Sequence, residues 1–406
     1  MRRLPTLLAA ALLLTACGEQ FDPPSYVNKL RLLAIRADAP EIETPARGED
    51  GTPLDPQPEG RAPDRTTITS LIADPLQIDD AAREAVVVYL ACTPEPGSLE
   101  AGICSLVETY ADPTQLPELL QQGGGACGGG GGTPPGVFGQ GITGGISFAG
   151  FERCDQELGC RPVETTVGGT PVTFPAPTYV LPEDFDLEAL PAGHPQRTNG
   201  VQVLTIAIAV VATPAELLDG ADPADACAFA DRVSANLGRL LESRERITAI
   251  KRVQVRGPDN GDEVNVNPVI EGFSANGTPL PAELAEPVQA EARFAPAKKA
   301  KLLPALPLGG DGQPLTDEAV YQPYTRYDAE GEFLREEREA WLWSWFTTGG
   351  QFEQDRTRAL DEAQEWTAPG DDADYPVPAH RRVFLYSVVR DARGGIAWAK
   401  REVRID

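Results

Sequence analysis

Apolar residues recur along this chain in short runs and in alternation, rarely at helical spacing. The first run, Leu4 to Leu14, follows Arg2 and Arg3 and precedes small residues. A charged start, a short apolar stretch and small residues predict a secretory signal rather than a membrane span. Downstream, Leu30 to Ala37 (LRLLAIRA) predicts a first strand closed by Pro40, and Thr66 to Ala73 alternates as a second. Ala85 to Ala91 (AVVVYLA) predicts a buried strand, and Val201 to Ala212 (VQVLTIAIAVVA) one covered on both faces. Pro177 to Pro182 and Arg246 to Arg256 continue the strand pattern. One segment departs from it: Ala226, Ala230, Val233, Leu237 and Leu240 repeat at three and four. They predict a helix from Asp222-Pro223 to about Arg244, with that face packed on a sheet. A shorter helix is predicted after Asp112-Pro113, ended by Gly123.

Gly257 to Gly261 (GPDNG) is the cleanest boundary. Beyond it Val264 to Phe273, Pro287 to Phe294 and Ala340 to Phe346 predict strands separated by Pro/Gly loops. Val383 to Arg390, the turn Asp391 to Gly395 and Ile396 to Ile405 then predict a hairpin, with glycine where positive φ is needed. The expected division is a signal peptide over 1–16, a tether over 17–27, a first domain over 28–256 and a second over 257–406. Residues 43–65, 123–145 and 304–330 are expected as long loops.

Composition agrees with this reading. A chain of 406 residues accommodates two domains, and 41% apolar residues suffice for their cores. Forty Gly and 38 Pro suit a turn-rich β protein. After the signal, no apolar run approaches the ~20 residues that cross a bilayer. The formal charge is −26, or −28 once Arg2 and Arg3 leave with the signal (−26 − 2). Such a balance argues against a nucleic-acid partner and suits solubility, cationic partners or divalent ions.

Cysteine usage points to an oxidising compartment. Besides Cys17 there are Cys92, Cys104, Cys127, Cys154, Cys160 and Cys227, an even set behind an export signal. No Cys-x-x-Cys spacing occurs and neither histidine lies near a cysteine pair, so no zinc or other metal site is expected. Six cysteines allow fifteen connectivities; the pairing expected is Cys92–Cys104, Cys154–Cys160 and Cys127–Cys227. All six lie in the first two-thirds of the chain, so the two halves should be stabilised differently.

Motifs of catalysis are weak. The glycine-rich stretch 123–145 lacks the Gly-Lys-Ser/Thr ending and the strand–helix context of a phosphate loop, and no cofactor is expected. Gly145-Ile-Ser-Phe-Ala149 misses the nucleophile elbow at its last position, so Ser147 is not assigned a catalytic role. Trp341, Trp343 and Trp345 share one strand face, a row that could stack on sugars but is expected to fill a sandwich core. Asp259, Asp262 and Glu263 could offer oxygen ligands to calcium but lack a known loop spacing and read as a solvated turn. His194 and His380 have no identifiable Ser or Cys partner and read as surface residues. Lys298-Lys299-Ala-Lys301 reads as a solvated basic loop. No catalytic residue is assigned.

Two resemblances add to this. Leu14-Thr15-Ala16-Cys17 looks like the lipobox of bacterial lipoproteins, which implies cleavage before Cys17 and lipidation of that residue. Gly18, rather than Asp, at the next position implies passage to the outer membrane in that family. Trp341-Leu-Trp-Ser-Trp-Phe346, Gly349-Gly-Gln-Phe352, Glu365-Trp-Thr-Ala-Pro369 and the final hairpin resemble a bacterial immunoglobulin-like, PKD-like sandwich. Residues 28–256 echo it, with the Gly-rich loop and the 223–244 helix as insertions. As a whole the chain resembles the myxobacterial lipoproteins that carry such domains, and the fold class expected is mainly β, two immunoglobulin-like β-sandwiches. The resemblance brings no catalytic residues. The function expected is a non-enzymatic envelope lipoprotein, held to the membrane by its lipid and acting as a structural or protein-interaction module. A glycan- or peptide-binding surface lipoprotein is the alternative, and an exported hydrolase the third.

Overall fold

The computed structural model describes residues 24–46, 60–80, 82–97, 146–167, 170–182, 184–222, 226–284, 288–310, 313, 315–370 and 375–406. The chain is mainly β, built as two immunoglobulin-like β-sandwiches stacked face to face. The first uses β1 (Arg31–Ala37), β2 (Glu41–Ile42), β3 (Arg65–Ala73), β4 (Ala85–Cys92), β5 (Ile146–Asp155), β6 (Gly159–Pro162), β7 (Glu164–Val167), β8 (Thr170–Thr173), β9 (Thr178–Val180), β10 (Val201–Val211) and β11 (Arg246–Val255). Its helices are α1 (Leu76–Asp79), α2 (Pro195–Asn199), α3 (Pro214–Leu217) and α4 (Ala226–Ser243). A six-stranded sheet, β2-β11-β10-β4-β5-β6, faces the three-stranded sheet β1-β3-β9.

The most apolar runs take the central places. Val86, Val88 and Leu90 of β4, with Leu204, Ile206, Ile208 and Val210 of β10, meet α4 on one side. Ala85, Val87, Tyr89 and Ala91, with Val203, Ala207 and Ala209, meet β1 and β3 on the other. Period-two alternation therefore carries apolar groups to both faces. The helix presents Phe229, Val233, Leu237, Leu240 and Leu241 to the sheet; Phe229 and Leu241 join the face read from the sequence. Thr213 stops β10 with a capping box: its Oγ1 accepts from Glu216 N at 3.3 Å, while its N–H reaches Glu216 Oε2 at 2.9 Å.

The second sandwich uses β12 (Gly272–Ala275), β13 (Thr278–Pro279), β14 (Arg293–Phe294), β15 (Lys299–Ala305), α5 (Asp317–Val320), β16 (Pro323–Tyr327), β17 (Phe333–Arg338), β18 (Leu342–Thr347), β19 (Gln351–Phe352), β20 (Arg356–Thr357), β21 (Gln364–Thr367), β22 (Arg382–Arg390) and β23 (Ile396–Ile405). The sheets β13-β12-β15-β21-β19 and β14-β23-β22-β18-β20 enclose a core of Trp341, Trp343, Trp345, Trp366, Phe273 and Leu385, with others. The tryptophan row is buried, as expected of large aromatics in a sandwich core. Trp345 Nε1 donates to Thr357 Oγ1 at 3.1 Å, which satisfies the indole inside the core. In the closing hairpin Gly394 sits at φ +104°, and Gly395 N donates to Asp391 Oδ1 at 2.7 Å.

Several sequence expectations change. Of Val264 to Phe273, only the last two residues are strand: Pro268 lacks an N–H, and Asn265 and Asn267 bond to other segments instead. Pro287 to Phe294 yields a 3₁₀ turn and the two-residue β14. The basic island lies at the start of β15, where Lys299 and Lys301 point out and Ala300 and Leu302 point in. Part of the loop expected over 304–330 is strand, because β16 pairs with β17 in a separate hairpin. Both strands are largely exposed, so their alternation gives no burial contrast to read. The helix expected over 112–123, the loop 123–145 with its Cys127, and Cys104 lie outside the described residues, as does the side chain of Cys227.

Candidate functional site

The sheet β1-β3-β9 is covered twice. Ile35, Ala37, Ile68 and Ile72 face the first sandwich's core, whereas Leu33, Ala34, Leu71 and Ala73 pack on Phe384, Tyr386, Val388 and Ile396 of the second. Residues 383, 385 and 389 of β22 point into their own core and 384, 386 and 388 point across, so one strand serves two cores. Each large apolar side chain so buried contributes about 1.5–3 kcal/mol.

Polar groups fix the register of this joint. Glu41 is 5% exposed. Its Oε2 accepts from Arg256 Nη1 and from Asn265 N, each at 2.9 Å, and its Oε1 accepts from Arg393 Nη2 at 2.9 Å. The arginines spend further N–H groups on backbone carbonyls: Arg256 Nη2 on Asp262 at 2.6 Å, Arg393 Nη2 on Glu263 at 2.7 Å. Asn267 bridges the same seam, donating to the carbonyls of Ala37 (2.8 Å) and Asp38 (2.9 Å) while accepting from Ile396 N (2.8 Å). Beside them, burial pushes the Glu339 carboxyl up to about 7 and the Lys251 ammonium, which donates to the Gly394 carbonyl, down to about 8. At the opposite edge Arg382 reaches Glu157 at 2.9 Å, and Lys400, lowered by burial to about 8, donates to the carbonyl of Glu157 at 3.0 Å.

The chain enters through the second sandwich. Val27 N donates to Thr347 O and Thr347 N to Ser25 O, both at 2.8 Å, so Tyr26 bridges β18. Val27 is fully buried in the shared core. Residues 25–27, expected as tether, are thus pinned before β1 begins.

A third polar group lies inside the first sandwich. Glu152 on β5 is 2% exposed. Tyr89 Oη donates to its Oε2 at 2.7 Å and is itself 2.7 Å from Ser70 Oγ. Burial raises the Glu152 carboxyl to about 7, against the lowering effect of the Tyr89 hydrogen bond. Cys154 and Cys160, opposite each other across β5 and β6, form a disulfide. Cys92 is also disulfide-bonded, to a partner outside the described side chains. Among the described residues, one group of His, Cys, Asp and Glu has metal-like spacing, Glu152 with Cys154 and Cys160. Its sulfurs are joined to each other, so it offers no thiolate.

The other predicted residues are not brought together. Ser147 lies within β5 opposite Ala91, a strand rather than a strand–turn–helix elbow. His194 caps α2, its Nδ1 accepting from Gln196 N at 3.3 Å. His380 Nδ1 accepts from Arg382 N at 3.0 Å, and burial lowers its proton affinity. Both are half-buried rather than freely exposed. Asp259 pairs with Arg197 at 2.7 Å, and Asp262 accepts from Thr325 N and Oγ1, each at 2.8 Å. The supposed solvated turn thus ties α2 and β16 to the seam. Sequence reading missed Glu41, Glu152, Arg256 and Arg393. Glu152 alone had a signal, its same-face spacing with Cys154.

No protein-family model and no curated protein matches this chain. A solved structure of Escherichia coli alpha-2-macroglobulin activated by porcine elastase is similar over 95% of this chain and 23% of that chain, with 10% identity and a TM-score of 0.17. The chain spans about a quarter of that protein's length.

Proposed function

We propose that the protein is a cell-envelope lipoprotein, anchored through Cys17 in the outer membrane, whose two sandwiches act as one stiff structural or protein-interaction module. The observation that carries this reading is the pinning of Ser25 to Val27 onto β18 next to the shared core. Pro24 follows Cys17 by seven residues, and seven residues reach at most about 25 Å. A lipid on Cys17 would therefore hold the whole joined body close to the bilayer, with no long leash. Stable attachment needs more than one acyl chain, at about 0.8 kcal/mol per buried methylene. Burial of Trp341, Trp343 and Trp345 removes the aromatic face that a glycan-stacking role would use.

Cys17→Ser in the full chain tests the anchor. The expected result is release from the membrane fraction or accumulation of an unprocessed precursor. Normal processing with unchanged membrane retention refutes it. Cross-linking from native membranes tests the module: a stoichiometric protein neighbour supports it, whereas ester, peptide or glycoside hydrolysis abolished by His194→Ala or His380→Ala refutes it.

A further inference from the structure

Strand parity puts Glu152 beside the disulfide. Glu152 and Cys154 stand two apart on β5 and so project to one face, while Cys160 faces Cys154 across the hairpin. A carboxylate oxygen and both sulfurs lie within 4.8 Å of one another. The two sulfurs are not equivalent. Cys154 is fully buried, whereas Cys160 is half-buried on β6, the last strand of its sheet. A bridge that only staples a hairpin has no need of a buried acid at its side, and burying a carboxyl is costly. Here three strands converge to hold one, with Ser70 from β3 and Tyr89 from β4 around the carboxyl of β5.

We propose that Cys154–Cys160 is a thiol–disulfide exchange site in which Glu152 supplies and takes back the proton of the buried sulfur. The co-reactant is a dithiol. Its thiolate attacks the Sγ of Cys160, the less buried of the two residues and on the edge strand, and forms a mixed disulfide. The Cys154–Cys160 bond breaks, its electron pair goes to Cys154 Sγ, and that sulfur takes a proton from the Glu152 carboxyl. The second thiol of the reductant loses its proton to water and attacks its own sulfur in the mixed disulfide. Cys160 leaves as a thiolate and is protonated from solvent, and Glu152 recovers its proton from the same pool. Two electrons pass to the protein, and the reductant departs as a disulfide. A thiolate leaving into an apolar interior is disfavoured, so a proton donor at that point lowers the barrier. Burial leaves Glu152 with a proton affinity of about 7, so it can give and accept near neutrality. Arg36 and Asp38 act on it electrostatically in opposite senses, and the hydrogen bond from the neutral Tyr89 hydroxyl favours the ionised form.

The test follows reduction of the full-length folded protein by dithiothreitol from pH 5.5 to 9, with thiols trapped and the 154–160 peptide quantified by mass spectrometry. Rates are divided by the thiolate fraction of the reductant. The expected wild-type rate falls as pH rises through about 7, as Glu152 loses its proton. Glu152→Gln should be slower at pH 6 by about tenfold or more and show no inflection. Tyr89→Phe removes a bond that favours the carboxylate, so its inflection should move to higher pH; it serves alone if Glu152→Gln does not fold. Identical corrected profiles for wild type and Glu152→Gln, an unmoved inflection in Tyr89→Phe, or reduction only in step with global unfolding would overturn the proposal.

Discussion

Arg393 Nη2 lies 2.9 Å from Glu41 Oε1, a buried contact between residues 352 positions apart. The same carboxylate holds Arg256 at 2.9 Å. One acid therefore ties the turn between β22 and β23 to the end of β11. Breaking a buried pair by removing one partner strands the other charge, at about 3–5 kcal/mol. Glu41→Ala should lower unfolding stability by that amount, read as a drop in urea midpoint at constant slope. A loss below about 1 kcal/mol, typical of exposed pairs, would show that the seam is wet.

The shared apolar layer predicts one unfolding transition. Tryptophan fluorescence reports the second sandwich, through Trp343 and Trp345, and far-ultraviolet dichroism reports α4 in the first. The two denaturation curves should coincide. Phe384→Ala, in the layer between the sandwiches, should shift both by about 3–5 kcal/mol. Two separated transitions, or a shift in fluorescence alone, would contradict the coupling.

Glu152 makes stability depend on pH in a direction opposite to that of an ion-paired acid. Its folded proton affinity, about 7, exceeds the ordinary 4.5. The folded state therefore binds the proton more tightly, and this contribution is complete below about pH 4.5 and lost as pH rises through about 7. The loss is roughly 3 kcal/mol at about 1.4 per unit. Glu339 acts in the same sense. Lys251 and Lys400, lowered to about 8, act conversely, restoring stability as pH climbs from about 8 towards their ordinary 10.5. Denaturation of wild type and Glu152→Gln at pH 5, 6, 7 and 8 should diverge steadily. Parallel curves would count against a buried titrating acid.

The Cys154–Cys160 bridge closes a short loop, with a separation of 6 residues. On the chain-entropy estimate it contributes about 2 kcal/mol. The double variant Cys154→Ser, Cys160→Ser should lose that much and remain folded. Because the sandwiches share a layer, limited proteolysis of the variant should accelerate in both halves, not in residues 28–256 alone.

Legibility in the sequence followed burial contrast. The runs of β4 and β10 were readable because they are apolar almost throughout, with only Gln202 and Thr205 polar in β10, and the β22–β23 hairpin because Asp391 to Gly395 punctuates it. The mainly β, double-sandwich class followed from these and from the tryptophan strand. The segments β15 and β16–β17 were hidden for opposite reasons. In β15 two outward lysines masked the inward Ala300 and Leu302, and Phe333 to Arg338 is exposed on both faces. The seam was hidden more deeply. Glu41, Arg256 and Arg393 look like ordinary surface charges in a chain with 61 acidic and 35 basic residues. Only tertiary packing of segments 215 and 352 positions apart desolvates them. Glu152 sat two residues from a cysteine, but nothing local told of Tyr89 and Ser70 closing over it.

The doubly covered β1-β3-β9 sheet also bears on inheritance. A gene fragment ending near Gly257 would encode a first half with Leu33, Leu71 and Ala73 facing water. The complementary fragment would carry Phe384, Tyr386 and Val388 on a bare sheet and lack the Ser25–Val27 segment that bonds to Thr347 of β18. Each half would be sticky and incomplete on its own. Recombination can therefore copy or move this pair only as a unit, and the glycine-rich boundary that looks like a natural cut in the sequence is a poor place to cut the gene.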